Sequence, residues 1–320
     1  MHAIVAREAG GPEVLTLAQV ERPVPGPGQL LVKVAAIGVN FIDTYKRSGS
    51  YTVGYPFTPG SEASGTVEEL GDGVSGFSRG DRVATAEGVN CYAGYALIDE
   101  DKALPVPSGV DDFTAAALPL QGITAHYLIN SSFKVEPGHT VLLHAGAGGV
   151  GLLLIQLLKA RGARVITTVS SDDKEQLARG AGADHVLRYD GFAARVRELT
   201  DGAGADVVYD GVGKDTFDGS LDALRIRGTL VLFGAASGPV PPVDPQRLNA
   251  GGSLYLTRPT IVHFLRNAQE RRWRSDELFA AVANGSLKVR IGARYDLAEA
   301  AQAHDALEQR RTTGKVILVP

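Results

Sequence analysis

Three glycines carry the first chemical signal in the chain. Leu142-Leu143-His144-Ala145-Gly146-Ala147-Gly148-Gly149-Val150-Gly151 is an apolar run leading into Gly-x-Gly-x-x-Gly, and Leu152 to Ala160 continue as helix formers. Strand, tight turn and helix in that order set backbone N–H groups and the positive end of a helix dipole against a pyrophosphate. Gly146 is expected to permit the turn, Gly148 to let the backbone approach the phosphates, and Gly151 to let the helix pack close to the strand. A plain glycine-rich turn would need neither the strand before nor the helix after.

The choice of nucleotide rests further on. An acid about 20 residues past the loop would bind a ribose 2′-OH and repel a 2′-phosphate. Val169 stands there instead, followed by Ser170 and Ser171, with Lys174 one turn on. Two hydroxyls and an ammonium suit a phosphate. Asp172 and Asp173 oppose this by like charge, but acids are favoured in the first turn of a helix, Ser171 can cap that helix, and Asp172 with Glu175 fits a capping pattern. The balance predicts NADPH.

Searches for metal and nucleophile chemistry come up empty. Cys91 is the only cysteine, so the two catalytic thiolates of a zinc dehydrogenase cannot be supplied. The histidines, at 2, 126, 139, 144, 185, 263 and 304, show no ligand spacing, and no Gly-x-Ser-x-Gly elbow is present. Direct hydride transfer from a nicotinamide is what remains.

The elements that must position these groups fall into two patterns. With 320 residues the chain suggests two domains. Residues 1 to about 120 are β-rich: runs at Leu30–Ile37, Ala63–Leu70, Arg82–Thr85 and Tyr95–Ile98 alternate with Gly and Pro punctuation. Ala115 to Asn130 is helical in composition. From Thr140 strands alternate with helices (149–160, 172–180, 191–199, 215–224), ending in strands at Thr229–Phe233 and Ser253–Thr257, which implies a doubly wound parallel sheet. A helical stretch from Ile261 to Asn284 follows, then a strand at Ala293–Tyr295, a helix at Leu297–Glu308 and a strand at Lys315–Val319. The nucleotide domain is therefore inserted into a β-rich domain that recovers its last elements from the C-terminus, and the cleft between them is the expected substrate site. A net charge of −4 gives no pull toward nucleic acid or anionic membrane. The absence of a basic n-region, of an uninterrupted apolar span and of disulfide partners predicts a cytoplasmic chain.

These residues also carry a resemblance. The chain is similar throughout its length to the zinc-free quinone oxidoreductases (zeta-crystallin type) of the medium-chain dehydrogenase/reductase superfamily. The marks are Gly10 to Leu15, Gly38-Val39-Asn40-Phe41-Ile42-Asp43-Thr44-Tyr45, Pro59 to Val67, Gly80-Asp81-Arg82-Val83, the glycine loop, Val208-Tyr209-Asp210, Thr257-Arg258-Pro259 and Gly314-Lys315-Val316. Zinc enzymes of the superfamily have a cysteine near position 40 and Gly-His-Glu where this chain has Gly60-Ser61-Glu62.

The resemblance implies a GroES-like β-rich catalytic domain at 1–122 and 262–320 and a Rossmann NADPH-binding domain at 123–261. Asn40, Phe41, Ile42, Asp43, Tyr45 and Tyr51 would line the nicotinamide and substrate cleft. Tyr127, Gly149 and Val150 would contact the cofactor backbone. Ser170, Lys174 and Tyr189 would hold the 2′-phosphate, while Val212, Phe233, Gly234, Thr257, Arg258 and Arg310 would complete the cofactor cleft. The reaction expected is metal-free hydride transfer from NADPH to a quinone, with Asn40, Tyr45 and Tyr51 donating hydrogen bonds to the developing oxyanion. The alternatives are reduction of an enone or alkenal double bond, or a non-catalytic NADPH- or RNA-binding role. A homodimer is expected through the edge strand at 254–257.

Overall fold

A computed structural model describes residues Met1–Pro320. It separates into two compact units, Met1–Ile123 with Asn267–Pro320, and Thr124–Arg266.

The first unit is built on a mixed sheet. In order, its strands are Ile291–Asp296, Lys315–Val319, Gln29–Val39, Glu62–Leu70, Arg82–Thr85 and Leu104–Pro105, and Tyr95–Asp99 also pairs with Gln29–Val39. The long strand Gln29–Val39 is the spine. Its apolar residues are almost continuously buried, and it pairs antiparallel with strands on both sides. The C-terminal strand joins it with Val316 opposite Val39. Ile4, Ile37, Val39, Tyr92, Leu297, Ala303 and Leu318 form one core under the sheet.

The second unit is a six-stranded parallel sheet, in the order His185–Leu187, Arg164–Thr168, Thr140–Leu143, Ala205–Asp210, Leu224–Leu232 and Tyr255–Thr257. All its pairings are parallel. Helices on both faces explain why strands such as Arg164–Thr168 and Ala205–Asp210 are buried almost throughout. Strand order reverses between Thr140–Leu143 and Ala205–Asp210, the switch point outside which such sheets bind ligands.

Several expected boundaries move for local reasons. The helical stretch 115–130 is two helices, Asp112–Ala117 and Pro119–Tyr127, followed by a wide turn at Leu128–Ser132. Pro119 has no N–H for a continuous ladder but suits a helix start. The stretch 261–284 becomes a short 3-10 turn, Ile261–Phe264, and a helix, Ala268–Ala283, capped by Asn267 accepting from the Glu270 N–H at 2.8 Å. Strand Leu224–Leu232 starts before the expected 229 and kinks where Arg227 takes φ +59°.

Candidate active site and cofactor-binding site

The glycine loop joins strand Thr140–Leu143 to helix Gly149–Ala160. Gly148 caps that helix with no side-chain partner for its first-turn N–H groups, which are the donors that a pyrophosphate accepts. The left-handed residue of the turn is Ala145, at φ +56°, so the expectation for Gly146 is corrected. Gly146 is needed because a Cβ would collide with the side chain of Thr167 on the neighbouring strand. At Gly151 a Cβ would collide with the carbonyl of Ala145, so the close approach there is of the helix to the turn after the strand rather than to the strand itself. A Cβ at Gly148 would meet only the Ala145 oxygen, at 3.2 Å, so the side of the backbone meant for phosphate is clear. The loop therefore fits a dinucleotide.

Beneath the loop lies a polar network that sequence reasoning missed. His144 is buried, with Nδ1 2.8 Å from Thr168 Oγ1 and Nε2 2.9 Å from Ser220 Oγ. Ser220 donates to Asp210, which also accepts from the Val212 and Gly213 N–H groups and the Thr216 hydroxyl. Because the Ser220 hydrogen goes to Asp210, His144 donates from Nε2 and accepts at Nδ1. Burial pushes the His144 pKa down to about 4, so the ring is neutral at pH 7. The network ties the carboxyl ends of three adjacent strands and fixes the turn carrying Val212. Its only sequence signal was polar residues ending apolar strands.

At the end of the second strand Val169 is buried. Ser171 caps helix Asp172–Gly180, accepting from the Lys174 N–H, while Lys174 Nζ donates to Ser170 Oγ at 3.2 Å. The Asp172–Glu175 capping pattern does not form. Glu175 pairs with Arg179 at 2.8 Å and with Arg188 at 3.0 Å, and Arg188 also meets Asp172. Arg188, unremarked in the sequence, thus offsets the acid that opposed a phosphate here. Tyr189 lies near by, its ring centroid 6.2 Å from that of His144.

The first unit presents a second group of site residues on the short helix Phe41–Arg47. Its spacing divides the helix cleanly: Asp43, Thr44 and Arg47 are buried, and Phe41, Ile42, Tyr45 and Lys46 share the half-exposed side. Tyr45 packs 6.2 Å from Phe41 and 5.6 Å from Tyr51, centroid to centroid, and Tyr51 is 46% exposed.

Asn40 and Asp43 differ from expectation. The Asn40 Nδ2 donates to Glu62 Oε2 at 2.8 Å and to the Gly38 carbonyl at 3.2 Å, and its Oδ1 accepts from Lys315 Nζ at 2.7 Å. Both amide hydrogens are used, so Asn40 has no donor left for a substrate oxygen. Lys315 also pairs with Glu62, both fully buried. Asp43 lines no surface. It is completely buried, accepts the Asn40 N–H at 3.0 Å in a capping box and the Tyr92 hydroxyl at 3.3 Å, and leaves Oδ1 without a partner. Burial raises its pKa to about 6 against the pull of Lys46, the Asn40 N–H and Lys315. Behind it Tyr92 meets His304 Nε2 at 2.9 Å, and His304 Nδ1 meets Arg47 Nη1 at 3.2 Å. Burial, then Arg47, push His304 down to about 3. Arg47 can only donate, so His304 donates to Tyr92 and Tyr92 to Asp43.

The remaining implied residues are placed as follows. Tyr127 is buried and stacks on Phe264 at 4.3 Å. Val212 is buried beside Asp210, and the Phe233 and Gly234 N–H groups donate to the Asp210 carbonyl at 2.8 and 3.4 Å. Thr257 ends the edge strand, and Arg258 Nη1 donates to the Pro259 carbonyl at 3.2 Å. Arg310, at φ +57°, follows helix Ala300–Glu308 in the first unit. Cys91 is buried, and its thiol is pushed up to about 12 by burial and the nearby Asp43 and Glu62, which makes it a poor nucleophile.

Comparison with known proteins assigns the chain to a family. Residues 26–132 match the model of the alcohol dehydrogenase GroES-like domain, and residues 149–281 that of zinc-binding dehydrogenase. These define a medium-chain dehydrogenase/reductase. A Quinone oxidoreductase of Pseudomonas aeruginosa is 46% identical, with 97% of each chain covered. A 2-haloacrylate reductase of a Burkholderia species is 42% identical, over 99% of this chain and 98% of its own. A mycobacterial structure solved with NADPH is 54% identical and superposes over 100% of both chains with a TM-score of 0.98. The chain belongs to the quinone oxidoreductase family of that superfamily.

Proposed function

We propose that the protein is an NADPH-dependent quinone reductase, with the catalytic GroES-like domain at 1–122 and 262–320 and the Rossmann domain at 123–261. The observation that carries this reading is the open glycine loop with its uncapped helix start, set beside a ribose corner that holds Lys174 and Ser170 in place of an acid. The first-turn N–H groups from Gly149 to Gly151 would receive the pyrophosphate, and Ser170, Ser171, Lys174 and Tyr189 the 2′-phosphate. When bound, NADPH supplies the hydride.

On the first unit, the ring pair Tyr45 and Tyr51 would hold the quinone, with Phe41 and Ile42 as apolar floor. The tyrosine hydroxyls would donate to the oxygen that gains charge. A quinone becomes aromatic on reduction, so little electrophilic help is needed. Asn40 enters as a positioning residue: its amide, fixed by Lys315 and Glu62, sets the start of the helix. Asp43 holds that helix from its buried side.

The runner-up is reduction of a C=C bond conjugated to a carbonyl, favoured by the likeness to a 2-haloacrylate reductase. Oxidation of NADPH and NADH by chelator-treated protein, followed with 1,4-benzoquinone and with a simple enone, decides between them. NADPH-specific turnover of the quinone is expected. Turnover of the enone alone would move the protein to the double-bond reductases, and turnover of neither would defeat the catalytic reading.

No helix is long and apolar enough to cross a membrane, and the single, buried thiol suits a cytoplasmic chain. Strand Tyr255–Thr257 lies at the edge of its sheet with Tyr255 62% exposed, which supports a homodimer through that edge. Sedimentation as a monomer at micromolar concentration would refute it.

A further inference from the structure

Helix Phe41–Arg47 exposes four side chains on one side, and the site described above uses three of them. The fourth is Lys46. Its Nζ donates to Ser61 Oγ at 3.2 Å and forms no ion pair. An ammonium has three donors, so two remain. Ser61 is 7% exposed and follows Gly60, where φ +105° turns the backbone and a Cβ would press on Tyr92. Asn40 is already bound internally, whereas Lys46 and Ser61 keep unused hydrogen-bonding capacity. The charge beside Ser61 is therefore an ammonium on a flexible stem. The other cation of the cluster, Lys315, is consumed by Glu62 and Asn40.

We propose that Lys46 is a further catalytic residue, donating, together with the Ser61 hydroxyl that it orients, to the substrate oxygen that becomes anionic during reduction. This deepens the quinone-reductase reading and rests on it. The balance is simple. Hydride adds to the quinone and leaves one oxygen with a full negative charge. Lys46 keeps its proton and stabilises that oxygen, which then takes a proton from water to give the hydroquinone. Poorer hydride acceptors build up more oxyanion character, so an enone should depend on Lys46 more than a benzoquinone does.

The test uses the full-length protein with Lys46→Met, which keeps the apolar stem, Lys46→Arg, which keeps the charge, and Ser61→Ala. A stabilising site of this kind is worth about ten- to a hundredfold in kcat/KM for a half-exposed donor, below the 10²–10³ lost from a buried oxyanion hole. Lys46→Met should therefore lower kcat/KM for 1,4-benzoquinone about tenfold and for the enone further, with NADPH Kd unchanged and with Lys46→Arg recovering much of the loss. A readout independent of turnover is 4-nitrophenol, whose phenolate colour reports its ionisation: the wild type should hold it ionised at lower pH than free solution does, and Lys46→Met should abolish this. Equal kcat/KM in wild type and Lys46→Met with an unmoved nitrophenol titration would overturn the proposal. A nitrophenolate effect that depends on Lys46, in a protein that turns over neither acceptor, would support the oxyanion site while the quinone-reductase reading failed.

Discussion

Asp43→Asn isolates a buried carboxylate that works against the stability of its own domain. In the folded state its pKa rises from 3.8 to about 6, chiefly through burial. The folded chain then binds more protons than the unfolded chain between those values. The stabilising contribution is complete below 3.8 and is lost as pH rises through about 6. At about 1.4 kcal/mol per pH unit, roughly 2 kcal/mol is lost between pH 4.5 and 7.5. His304, held down at about 3 from 6.5, acts in the opposite direction: its contribution is lost as pH falls below 6.5. In the wild type the two largely cancel across the shared window. Asparagine keeps the size of Asp43 and removes its titration, so the variant's stability should rise with pH where the wild type's is nearly level. Trp273, the single tryptophan, lies in the same unit, and its fluorescence reports that unit's unfolding by urea. With m of about 2 kcal/mol/M, the difference in midpoint between variant and wild type should change by about 1 M urea between pH 4.5 and 7.5, in favour of the variant at the higher pH. An offset that is the same at both pH values would refute the reasoning, whatever its size.

Three further outcomes follow from the cofactor side and the core. Lys174→Ala should weaken NADPH at least tenfold more than NADH, measured by fluorescence titration, because only NADPH carries the 2′-phosphate; equal losses would remove Lys174 from that site. Gly151→Ala drives a methyl group into the Ala145 carbonyl, so a loss of about 1–3 kcal/mol and weaker NADPH binding are expected in chemical unfolding and titration, and an unchanged variant would show that the contact yields freely. Cys91 should resist a thiol reagent in the native protein and react once unfolded, and rapid native labelling would contradict its burial and raised pKa.

How much of this was legible beforehand divides along a physical line. Helix Gly149–Ala160, helix Asp172–Gly180 and strand Lys315–Val319 could be read residue by residue, because apolar period, glycine punctuation and capping are local properties. The glycine loop, the missing acid at Val169 and the shortage of thiolates for zinc were likewise sequence facts, and they pointed to a nicotinamide reductase. The breaks at Pro119 and around Asn267 carry local signals of their own, a proline suited to a helix start and an asparagine cap, but lie within helix-like composition that masks them.

The roles of individual polar residues were decided in three dimensions. Asn40 and Asp43 look alike as candidates in the chain, yet both are bound internally, because Lys315 returns from 275 residues away and Tyr92 and His304 approach from two other segments. The His144–Ser220–Asp210 file spans separate strands and a helix. Burial and partner identity settle which polar groups remain free to meet a ligand, and those are properties of long-range contacts. The sequence by itself determined the class of chemistry; only the tertiary structure decided which residues are free to perform it.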